Sequence, residues 1–112
     1  MDTLTWPEFE KVDIRVGTII DVADFPKARK SAYQLAIDFG AGLGTKKSSA
    51  QITDHYTKEA LLGQQVIAVV NFPPKQIANF ISECLVLGIY DEAGAVVLLQ
   101  PQKTVLNGLK IG

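Results

Sequence analysis

Two short stretches carry the side chains whose types and spacing could do chemistry. Lys46-Lys47-Ser48-Ser49-Ala50-Gln51 is a polar, basic strip with no acid in it. Asn71-Phe72-Pro73-Pro74-Lys75-Gln76 sets two amides, an aromatic ring and a cation around two prolines. The lysines offer point charges to an anion. The hydroxyls and amides offer neutral hydrogen bonds, and the ring offers a stacking platform or an apolar wall. This is chemistry for holding a ligand, not for breaking a bond. Lys27, Arg29 and Lys30 add positive charge nearby in the chain. The plainer reading is a solvated rim that keeps a sheet edge from aggregating, with Phe72 as core at a strand end. Spacing alone does not separate the two.

Catalysis finds little to work with. His55 is the only histidine. Between Asp54 and Tyr56 at a helix start, it reads as a surface residue and not as a base. Cys84 is the only cysteine, so no intramolecular disulfide forms, which fits a reducing compartment. Its setting, Cys84-Leu85-Val86-Leu87, reads as a buried small hydrophobe. There is no nucleophile motif, glycine-rich phosphate loop or cluster with metal-ligand spacing. The sequence therefore predicts no enzyme, no catalytic residue, no metal and no cofactor.

Length and composition set the frame. A chain of 112 residues predicts one domain over 1–112. It buries roughly two thirds of its unfolded surface, enough for one core without staples. A hydrophobic fraction of 47% and a net charge of −1 are ordinary for a globular protein and exclude disorder. The near-zero charge excludes coating nucleic acid by bulk electrostatics, so any such site must be a local patch. Asp2, Glu8 and Glu10 stand where a signal peptide would need an apolar run. No apolar stretch reaches membrane-spanning length, which predicts a soluble, cytoplasmic chain with no membrane insertion.

The positioning elements follow from periodicity. Ile14, Val16, Ile20 and Val22 alternate with polar residues over Asp13–Val22, a strand with one buried face. Gly17 inside it predicts a bulge or bend, as at a barrel corner. Tyr33, Leu35, Ile37 and Phe39 predict a second strand. After the glycine-rich turn at 40–44, Thr45 to Ile52 predicts a third strand paired with the second. Thr57 as cap, Glu59 in the first turn and Gly63 as stop predict a short helix. Val66–Val70 is continuously apolar, a strand covered on both sides. It ends where Pro73 and Pro74 cannot donate to a ladder and hold the Phe72 segment in a loop. Leu85–Ile89 and Val96–Leu99 predict two more strands joined through Asp91-Glu92-Ala93-Gly94. The fold class is all-β: a small OB-fold-like five-stranded Greek-key barrel with one or two short helices, with a sandwich as the alternative. In such a barrel, the face around strands two and three is the usual ligand surface.

These residues bear a family resemblance. Asp13-Ile14-Arg15-Val16-Gly17, Asp38-Phe39-Gly40, Asn71-Phe72-Pro73-Pro74-Lys75 and Pro101 with Gly108 fall where the tRNA-binding domain family has counterparts. That family is an OB-fold module found at the C-terminus of bacterial methionyl-tRNA synthetases and in related stand-alone dimers. Within it, Ile37-Asp38-Phe39-Gly40, Ser48-Ser49-Ala50-Gln51-Ile52-Thr53, Gln65 to Pro74 and Leu85-Val86-Leu87-Gly88 are similar to a branch of small export-related bacterial chaperones. The ending Asn107 to Gly112 is similar too. Phe25-Pro26 replaces the His-Pro common in the family, and Ser82-Glu83-Cys84-Leu85 replaces Ser-x-Gly-Met. An acid at Glu83 near a phosphate site would repel RNA, which favours the chaperone branch. The resemblance implies a homodimer with both chain ends at the interface. It implies binding of unfolded or precursor polypeptides and of the secretion ATPase, with tRNA as the alternative ligand and no cofactor. The candidate ligand site is then Lys46, Lys47, Ser48, Ser49 and Gln51 from one side, Asn71, Phe72, Pro73, Lys75 and Gln76 from the other, and Ser82.

Overall fold

A computed structural model describes residues 1–112. A capping box opens the chain. Thr5 Oγ1 accepts the Glu8 N–H and Glu8 Oε1 accepts the Thr5 N–H, starting helix α1 (Trp6–Glu10) with Pro7 in its first turn. β1 (Ile14–Asp24) follows and is long enough to serve two neighbours. Its second half pairs antiparallel with β2 (Tyr33–Asp38), which turns through Gly40–Gly44 into β3 (Thr45–Ala50). After helix α2 (Lys58–Leu61), capped by Thr57, β4 (Gln65–Val69) pairs with the first half of β1. β5 (Lys75–Ile77) and β6 (Phe80–Ser82) form a hairpin, and β7 (Leu85–Val86) joins β4. β8 (Gly88–Tyr90) and β9 (Val96–Leu98) form a last hairpin around the predicted Asp91–Gly94 turn. The five-stranded order is β3-β2-β1-β4-β7, all antiparallel, a nearly closed OB-fold-like barrel.

The bend in β1 lies at Ile20 and not at Gly17. Ile19 stands opposite Ile37 while Asp21 stands opposite Ala36, so Ile20 is the extra residue; its side chain turns outward and Ile19, not Ile20 as the alternation predicted, enters the core. Pairing runs without interruption through Gly17 opposite Val66. What Gly17 supplies is room. A Cβ there would sit 2.6 Å from Ile37 Cγ2 and 2.8 Å from the Phe39 ring. Around that contact lies the core: Ile19, Leu35, Ile37, Phe39, Leu61 and Val66, all essentially without solvent contact.

Asn71 to Pro74 lie outside any strand. The chain after them forms a hairpin, turning at Ala78 with φ +51° and Asn79. One further expectation changes. Leu85–Ile89 is not one strand. Leu87 N–H donates to Ile67 C=O while Leu87 C=O accepts from Leu99 N–H, so the chain passes from one sheet to the next at that residue.

Closure of the barrel falls to Glu83. Its N–H donates to Lys47 C=O at 2.7 Å, and its Oε1 accepts the Lys47 N–H at 2.9 Å. Ser48 Oγ donates to Cys84 C=O beside it at 3.0 Å. The acid at this position thus stands in for a missing strand residue.

The family-like Asp13-Ile14-Arg15-Val16-Gly17 run gathers the C-terminal segment. Arg15 grips Asp13 and donates to Gly108 C=O at 3.0 Å. Hydrogen bonds from Arg15 hold the Asp13 carboxyl below the usual carboxylate range. Gly108 N–H donates to Val16 C=O, and Ile111 N–H to Ile14 C=O, laying the C-terminal segment along β1. Gly108 has φ +89° and lies against Phe39 C=O, a crossing that admits no side chain.

Candidate ligand groove

Two prolines create the site's apolar wall. They cannot extend the β4 ladder, so the chain leaves the sheet and Phe72 is left 54% exposed. The β5–β6 hairpin then folds back across β3, and Ser49 N–H donates to Ser82 Oγ at 3.1 Å. Three concavities result, and Ser49 borders all of them.

The first, about 300 Å³, is walled by Phe72, Pro73, Ile77, Cys84 and Leu85, with Lys75 and Glu83 as its charged residues. The second, about 540 Å³, is bordered by Arg29, Lys30, Lys75, Gln51 and Gln76 and has no acidic residue on it. The third, about 410 Å³, runs from Gln51 and Lys30 past Leu85 to Tyr90, with Asp54 on its edge. Arg29, Lys30 and Lys75 take part in none of the chain's ion pairs, which join Arg15 to Asp13, His55 to Asp91 and Lys58 to Asp24. Their charge is therefore open to a ligand.

Of the sequence-predicted residues, Ser49, Gln51, Phe72, Pro73, Lys75, Gln76 and Ser82 come together on this surface. Lys46, Lys47, Ser48 and Asn71 border none of the three concavities. Lys47 Nζ lies over the Phe80 ring, 5.2 Å from its centroid. Ser48 is buried, with its hydroxyl on Cys84. Asn71 faces the chain's start: it accepts the Asp13 N–H at 3.0 Å and donates to Lys11 C=O at 2.6 Å.

Leu85, Ile77 and Tyr90 also border the groove and were not singled out from the sequence. For Leu85 a signal existed. Cys84 is buried, so period two puts Leu85 on the opposite face.

The titratable groups near the groove are set for structure. Burial pushes the Cys84 thiol up to about 11, so it stays protonated, as expected of a small core residue. His55 Nε2 and Asp91 Oδ2 lie 2.8 Å apart. The His55 hydrogen bond, with those from Ala95 and Ala93 N–H, holds the Asp91 carboxyl below its usual range. This pair fixes the β8–β9 hairpin, which carries Tyr90 to the groove's end. No helix is long and apolar enough to cross a membrane.

Comparison with known proteins places these features in a lineage. Residues 14–110 match the family model described as "Putative tRNA binding domain". The chain is 52% identical to the chaperone CsaA of Bacillus anthracis, whose crystal structure it matches with a TM-score of 0.93 over 99% of this chain and 100% of that one. It is 55% identical to the CsaA chaperone protein of Picrophilus torridus, with a TM-score of 0.92 over 98% and 100%. It is also 35% identical to the methionine–tRNA ligase of Chloroherpeton thalassium over 89% of this chain, but it spans only 14% of that enzyme's length. By matched span, identity and shared barrel, the chain belongs to the tRNA-binding domain family.

Proposed function

We propose that this chain is a polypeptide-binding chaperone associated with protein export, working as a homodimer in the cytoplasm and carrying out no chemistry of its own. The observation that carries this reading is the Phe72–Leu85 cleft, whose apolar walls stand open to solvent beside unpaired cations. An exposed apolar segment of a client would cover those walls. The two CsaA chaperones, alike over nearly the whole chain, support the reading. The secretion ATPase is the partner that the family resemblance adds.

A second reading has its own support. The family model is that of a tRNA-binding domain, and the acid-free concavity at Arg29, Lys30 and Lys75 suits phosphate. Salt separates the two. If Lys27, Arg29, Lys30, Lys46 and Lys47 all met phosphate, log affinity for tRNA would fall with log salt at a slope of roughly −3.5 to −4.5. We expect labelled tRNA to bind weakly at low salt and to be lost at moderate salt, while a labelled unfolded peptide stays bound. Tight tRNA binding at moderate salt without peptide binding would make the second reading the better one.

The dimer rests on uncovered apolar side chains at both chain ends. Leu4, Trp6, Leu106 and Leu109 are all half or more exposed. Trp6, Phe9 and Val12 border one concavity together with Ile111. Sedimentation equilibrium at micromolar concentration is expected to give twice the 12.2 kDa chain mass. A clean monomer across that range would reject the dimer.

A further inference from the structure

The common centre of the three concavities is backbone. β3 stands at one end of the strand order, so one of its edges faces β2 and the other has no complete strand beside it. Antiparallel alternation decides which groups point to that open edge. At the head of the β2–β3 hairpin, Phe39 N–H donates to Gly44 C=O at 3.0 Å. Ile37/Lys46, Leu35/Ser48 and Tyr33/Ala50 are then the hydrogen-bonded pairs, and Lys47 and Ser49 turn their backbone groups outward. Glu83 takes both groups of Lys47. Ser82 Oγ takes the Ser49 N–H. The Ser49 C=O and, just past the end of β3, the Gln51 N–H have no protein partner, and both residues border the groove.

One acceptor and one donor, two residues apart on an outward edge, are what an added strand requires. The groups around them indicate what that strand carries. Phe72, Ile77 and Leu85 flank the Ser49 position with apolar surface. Arg29, Lys30 and Lys75 flank it with positive charge on one side, against Glu83 and Asp54 on the neighbouring concavities, so the cations outnumber the acids. A segment with apolar and acidic side chains complements both.

We infer that the client is bound in extended form as an added strand on the open edge of β3, a peptide N–H meeting Ser49 C=O and a peptide C=O meeting Gln51 N–H, with apolar side chains in the Phe72–Leu85 cleft and acidic ones toward Arg29, Lys30 and Lys75. This rests on the polypeptide-binding reading and specifies how that site reads its ligand. Recognition through the backbone makes the site tolerant of client sequence, and the flanking surfaces bias it toward apolar, acidic stretches.

The test leaves the protein unaltered. A fluorescein-labelled peptide of alternating Leu and Glu, flanked by Gly-Ser, is titrated by fluorescence anisotropy. It is compared with a set of versions, each methylated at a single backbone nitrogen. Methylation at the paired position is expected to weaken binding roughly ten-fold, the scale of one lost hydrogen bond, and its neighbours should have little effect. Exchanging Glu for Lys in the peptide should weaken binding as well. If the parent peptide binds and every methylated version binds equally, the client is held by side chains alone and the added-strand mode is wrong. If the parent peptide fails to bind at all, the polypeptide-binding reading falls with it. If binding disappears as the protein is concentrated, a second copy covers the edge, and the proposal is overturned in that way.

Discussion

Phe72→Ala is expected to weaken binding of an unfolded polypeptide by about 2 kcal/mol, roughly thirty-fold in dissociation constant. The ring stands 54% exposed and walls the groove together with Pro73 and Leu85. Its removal costs the complex an aromatic contact while the free protein loses little packing. The melting temperature should therefore move only slightly. Lys46→Ala serves as the contrast, because it borders none of the three concavities and an exposed charge pair is worth about 1 kcal/mol or less. Isothermal titration of both variants, with thermal melts alongside, checks the order. If Phe72→Ala unfolds the protein, the residue is core and its assignment to the groove is wrong.

The largest stability effect is expected at Phe39. It is 1% exposed, its ring closes over Gly17, and its carbonyl lies at the Gly108 crossing. Phe39→Ala should cost about 3–5 kcal/mol, through lost transfer energy and an unfilled cavity. Against a total of about 5–15 kcal/mol for a small domain, that brings the chain close to unfolding. Urea titration should show the midpoint falling steeply. A loss under about 1 kcal/mol would mean that the barrel collapses around the gap.

The barrel was legible in the sequence because its signals are local. Alternation marked β1 and β2, the continuous apolar run marked β4, and Thr57 with Gly63 bounded α2. What escaped depends on contacts across the chain. Gly17 advertised a bend, but the glycine serves the approach of Ile37 and Phe39, and the bulge fell on Ile20, whose side chain gives no local sign of it. Glu83 looked like a charge set against phosphate. Only the folded barrel shows its carboxylate accepting the Lys47 N–H. Asn71 looked like a ligand group for the same reason, and its amide instead holds the start of the chain. α1 also carried a local signal that was passed over: Thr5, Pro7 and Glu8 spell a capping box. Of the groove, the polar strip and the proline-flanked ring were readable. Leu85 on the apolar opposite wall was reachable by period two from a buried Cys84, whereas Ile77 is reached only once the β5–β6 hairpin is known.

Where a client touches the protein can be read directly. Amide resonances of the isotopically labelled protein, followed while an unfolded peptide is added at moderate salt, report on each backbone position. Shifts are predicted at Ser49, Gln51, Phe72, Lys75, Ser82 and Leu85, the positions that border the groove. Shifts confined to Lys27, Lys46 and Lys47, with the groove silent, would contradict the account and place the ligand on the basic rim.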